Sequence, residues 1–150
     1  MVPTATIFCL AEKVIIADDG TFSIITLMEG LQIGIVAEAE IPLNMTAPVA
    51  WAAFASWTRN DGTRSETFEQ KIEAFAERAS EPYLSIPASV FFSEGTLIMK
   101  VRQPVFGMLV GGGEGPKRFV LSIREPGEEQ WHECSSWALT ITYQRNSPTP

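Results

Sequence analysis

Apolar residues in this chain recur at every second position, in runs closed by Asp-Gly, Asn-Asp-Gly or proline-bearing turns. This feature restricts the fold most. A period of two is the period of a β-strand, and glycine after aspartate supplies the positive φ that a tight hairpin needs. TATIFCLAEKVII (4–16) has apolar side chains on both parities, as in a strand covered on two faces or bending between sheets. Asp18-Asp19-Gly20 then turns the chain into TFSIITLM (21–28), and Gly30 separates that run from LQIGIVAE (31–38).

Further runs follow the same rule. In PVAWAAFASWTR (48–59), Trp51, Ala53, Ala55 and Trp57 share one parity, and Asn60-Asp61-Gly62 marks a second hairpin. Segment 66–79 is ambiguous. Phe68, Ile72, Phe75 and Ala79 fit helical spacing, with Thr63 and Glu66 as a capping box. Read as a strand, Phe68, Gln70, Ile72 and Ala74 alternate with charges. The preceding hairpin favours pairing, so a strand is expected. ASVFF (88–92) and TLIMKV (96–101) flank a turn at Ser93-Glu94-Gly95, and Pro104 is expected to end the second of them. RFVLSIRE (118–125) places Phe119, Leu121 and Ile123 against Arg118, Ser122 and Arg124. QWHECSSWALTITY (130–143) places Trp131, Trp137, Leu139, Ile141 and Tyr143 on one face.

About eight strands and no convincing helix predict an all-β, two-sheet antiparallel sandwich of immunoglobulin or C2 type. One domain over 1–145 and a frayed tail at 146–150 are expected. The expected core includes Phe8, Leu10, Ile24, Trp57, Phe119, Leu121, Ile123, Trp137, Leu139 and Ile141.

Leu10-Ala11-Glu12-Lys13-Val14, Asp19-Gly20 and Phe22-Ser23-Ile24 open the chain in a recognisable order. Val105-Phe106-Gly107, a glycine-rich turn, Phe119-Val120-Leu121 and Trp131-His132-Glu133 close it. Together these resemble a family of uncharacterised bacterial β-sandwich proteins, over the first thirty and last fifty residues. The resemblance implies a two-sheet fold and no particular activity.

Composition narrows the function. The net charge of −7 opposes contact with a phosphate backbone, so nucleic acid is not an expected partner. No apolar run has the length of a membrane-spanning helix. Met1-Val2-Pro3-Thr4 lacks the pattern of a secretory leader, so a cytoplasmic location is expected. Cys9 and Cys134 are then expected as buried thiols.

No catalytic, cofactor or metal motif is complete. Gly111 to Lys117 contains Pro116 and runs into a strand, so it does not make a phosphate loop. His132 and Cys134 share a parity, but one histidine and one distant second cysteine do not form a zinc set. Asp18-Asp19 and Glu128-Glu129 are turn residues without the spacing of a calcium loop. We therefore expect no catalytic residue, cofactor or metal.

The expected role is a non-enzymatic interaction or assembly module, pairing with itself or another protein through Ser23, Thr26, Gln32, Trp51 and Trp57. The alternative is a small-ligand-binding domain using the tryptophans and the 107–116 loop. The basis for self-pairing is that 21–28 and 31–37 carry no lysine or arginine, the usual guards of an exposed sheet edge.

Overall fold

The computed structural model describes residues 1–146. Nine strands form two packed sheets: β1 (Thr4–Ile16), β2 (Phe22–Leu27), β3 (Gly30–Val36), β4 (Thr46–Thr58), β5 (Glu66–Phe75), β6 (Leu84–Phe92), β7 (Ile98–Leu109), β8 (Gly115–Arg124) and β9 (His132–Asn146). One sheet has the order β2-β1-β4-β7, the other β3-β9-β8-β5-β6. No helix occurs among the described residues, and none is therefore long and apolar enough to cross a membrane. The expected β-sandwich is present, and segment 66–75 is a strand. Glu66 is then no helix cap; it pairs with Arg59 and Arg64.

Three details differ from the sequence reading. The sandwich is not wholly antiparallel, because β3 runs parallel to β9 from Gly30↔Thr140 to Val36↔Asn146. The chain leaves β2 at one sheet and enters β3 at the other. It crosses at Met28, whose carbonyl accepts Trp137 Nε1 at 2.7 Å. Secondly, Pro104 does not end a strand. It lies inside β7 opposite Ala52, where the missing N–H costs nothing because β7 is the outer strand of its sheet. Pro87 occupies the equivalent place in β6, the outer strand of the other sheet. Thirdly, Asn146 belongs to β9 rather than to a frayed tail; 147–150 lie outside the described residues.

The main core lies between the sheets. It holds Phe8, Leu10, Trp57, Phe119, Leu121, Ile123, Leu139 and Ile141 as expected. Ile24 and Trp137 are only half-buried. A second, smaller cluster of Cys9, Ala11, Val14, Ala52 and Phe54 explains the two-sided apolar pattern of β1. The β1–β2 hairpin curls over it. Phe22 stacks on Phe54 at 4.8 Å, Arg102 donates to Val14 O at 3.0 Å, and Lys100 donates to Gly20 O.

Candidate interaction edge

Side chains that suggested chemistry in the sequence are mostly engaged in structure. Asp19 accepts Thr21 N at 2.9 Å and Thr21 Oγ1 at 2.6 Å, and these bonds hold its carboxyl below the usual range. Cys134 sits at a bulge between the Leu121↔Ser135 and Ser122↔Glu133 pairs. It is exposed rather than buried as expected; its thiol donates to His132 O at 3.3 Å, and partial desolvation pushes its pKa up, away from a reactive thiolate. His132 Nε2 faces Glu128 at 3.7 Å. Cys9 is buried on β1, in the other sheet. No group of three His, Cys, Asp or Glu side chains converges among the described residues.

The glycine loop is tied down from inside. Tyr143 Oη donates to Val110 O and accepts Gly113 N, while Lys117 Nζ donates to Gly113 O at 3.0 Å. Arg59, only 6% exposed, fastens two hairpins. It donates to Thr96 O, Arg64 O, Ser93 O and Glu66, and stacks over Phe92.

Of the five residues expected at an interaction surface, two are inside. Trp51 is 2% exposed and Trp57 0%. Trp51 packs edge-on against Phe119 at 5.9 Å and donates to Gly107 O at 2.9 Å. Trp57 donates to Gln70 Oε1 at 2.8 Å inside the core, and Gln70 Nε2 reaches half-buried Gln103 Oε1 at 3.0 Å, a polar link between the sheets. These tryptophans serve the core, as alternating positions on a central strand dictate. They are withdrawn from the surface.

Ser23, Thr26 and Gln32 are exposed, and both strands that carry them are outer strands. The four sheet edges are unequal. β7 carries Lys100, Arg102 and Pro104, and β6 carries Pro87. β2 has no such residue, but Thr26 has φ 54, a strained value for a β-branched side chain that breaks the regular line of the strand. β3 has neither charge, proline nor irregular pairing over its seven residues.

The hydrogen-bond parity of β3 follows from its ends. Thr140 N donates to Glu29 O at 3.0 Å and Ala37 N to Asn146 O at 3.0 Å. Peptide groups alternate in direction along a strand, so odd-numbered residues bond to β9. The N–H and C=O groups of Gly30, Gln32 and Gly34 and the N–H of Val36 therefore point out of the sheet, while Val36 O accepts Ala39 N at 3.0 Å in the turn that follows. Leu31, Ile33 and Ile35 turn their side chains inwards, and the outer face shows Gly30, Gln32, Gly34 and Val36.

Nothing inside this chain requires the two glycines. Neither has a positive φ. A Cβ would stand 3.7 Å from Thr140 O at Gly30 and 3.7 Å from Asn146 Nδ2 at Gly34, ordinary contact distances. Glycine in a strand costs stability and commonly marks the close approach of another backbone. Sequence reasoning found Gln32 and missed Gly30, Gly34 and Val36. The signal was two glycines in a charge-free period-two run.

No family model and no curated protein matches this chain. Among solved structures, the N-terminal domain of PorA is similar over 92% of this chain and 98% of its own, at 9% identity and a TM-score of 0.29.

Proposed function

We propose that this protein is an assembly module without an enzymatic role, and that it joins a second copy of itself by strand addition at β3. The observation that carries the reading is the outward row of peptide groups at Gly30, Gln32, Gly34 and Val36, with two glycines that the fold itself does not need. An antiparallel pair of β3 strands about a two-fold axis at Ile33 places Gln32 opposite Gly34 and Gly30 opposite Val36. Gln32 and Gly34 then exchange bonds both ways and Val36 N donates to Gly30 O, in about six hydrogen bonds, Val36 O being held by Ala39 N. The inner faces match as well, with Ile33 facing its own copy and Leu31 facing Ile35. Two chains of net charge −7 repel, and a charge-free strand is where they approach at least cost. We also read the order β1-β4-β7 against β9-β8-β5-β6 as immunoglobulin-type, an architecture in which sheet edges serve recognition.

Strand pairing alone buries less than a standard interface, so the association is weak, with a Kd of roughly micromolar order. Sedimentation equilibrium over a concentration series tests it. The wild-type chain should pass from monomer to dimer, and Gln32→Pro should remain monomeric. Proline at position 32 removes one outward N–H and no bond to β9. A wild-type monomer at every concentration, or a Gln32→Pro dimer of unchanged affinity, would overturn the reading.

A further inference from the structure

We infer a binding site for a small organic oxyanion, a carboxylate or phosphate on an apolar body, on the outer face of the five-stranded sheet. It does not depend on pairing at β3. The site is a depression of about 560 Å³ between the turn after β5, the start of β8 and residues 136–138 of β9. That volume lies within the range of small-molecule pockets.

The cations make the case. The chain has seven arginines. Arg59, Arg64 and Arg124 are paired with carboxylates, and Arg102 and Arg145 donate to backbone carbonyls. Arg78 and Arg118 have neither a hydrogen bond nor an ion pair among the described residues, and both line this depression. In a chain of net charge −7 two unengaged guanidinium groups at one site are unexpected.

Each is placed by the fold. Arg118 lies on the outer face of β8 beside Ala138 of β9, with its guanidinium carbon 5.1 Å from the centre of the Phe75 ring. That contact leaves its donor edge free. Arg78 stands in the turn at φ 59, a left-handed conformation that an arginine adopts at some cost. Strained non-glycine positions of this kind concentrate at ligand sites.

The rest of the lining suits the same ligand. Ala79, Ala138 and Pro116 supply an apolar floor, and Ser80 and Ser136 supply exposed hydroxyl groups. Glu77 is the one carboxylate, lying beside Gly115 at the start of β8. Two guanidinium forks against one carboxylate favour an anion, and the planar fork matches carboxylate and phosphate oxygens in pairs.

The test is an amide chemical-shift titration of the ¹⁵N-labelled full chain at constant ionic strength. The probes are benzoate, phenyl phosphate and neutral benzamide. Saturable shifts should appear at Ala79, Ser80, Ser136 and Ala138 with at least one anion and not with benzamide. The stronger of the two anions identifies the oxyanion class. Arg78→Gln and Arg118→Gln should each weaken that binding about tenfold or more. Lys13→Gln, which removes an exposed cation elsewhere, should leave it unchanged. Because both arginines are exposed, the variants should keep the wild-type circular dichroism. Scattered or unsaturable shifts, equal binding of benzamide, or full binding by folded Arg78→Gln and Arg118→Gln chains would overturn the inference.

Discussion

Tyr83 shows how a single residue reports on this fold. Its hydroxyl is buried with no hydrogen-bond partner among the described residues. Burial alone pushes its pKa up from 10.0 to about 12. A buried unpaired hydroxyl costs free energy, so Tyr83→Phe should be neutral or stabilising by up to about 1 kcal/mol. The pH dependence has a definite sign. Below pH 10 the tyrosine is neutral in both states and the fold is unaffected. Above it the unfolded chain ionises first, so stability falls as pH rises from 10 to about 12. Denaturant titrations across that interval should show a smaller loss in Tyr83→Phe than in wild type. No sequence signal announced this residue, because the missing partner depends on what the loop before β6 packs against. Trp51 and Trp57 share a parity with Ala53 and Ala55, which fits a core face, yet they were also expected at an interaction surface; both are in the core.

At the scale of strands, alternation was a reliable guide to faces and a poor one to position in the sheet. Phe119, Leu121 and Ile123 are all fully buried, and Arg118 is exposed, as their parity in β8 required. Leu121→Ala should therefore cost about 2–5 kcal/mol in denaturant unfolding. Arg118→Ala, which loses a surface stack on Phe75, should cost under about 1 kcal/mol. Comparable losses in the two variants would mean that the faces are reversed. Alternation does not reveal whether a strand is central or outer, and there the sequence reading failed at Pro104. A proline stops a central strand but is tolerated in β7, which has a neighbour on one side only. The parallel β3–β9 pairing was illegible for the same reason, since it depends on where the chain crosses between sheets. Absence of lysine and arginine in 21–28 and 31–37 was legible; that β2 and β3 form outer strands was not.

For the whole molecule, the asymmetry of the edges is the central claim. β6 and β7 carry prolines on their open edges, β2 is bent at Thr26, and β3 is left straight, uncharged and half-bonded. Amide hydrogen exchange along β3, followed residue by residue at low and high protein concentration, tests this most directly. Leu31, Ile33 and Ile35 bond to β9 and should be protected at both. Gln32, Gly34 and Val36 point outwards, so they should exchange rapidly in dilute solution and become protected as the protein is concentrated. If these three amides exchange rapidly at concentrations where the protein sediments as a dimer, the copies meet elsewhere and the account of β3 is wrong.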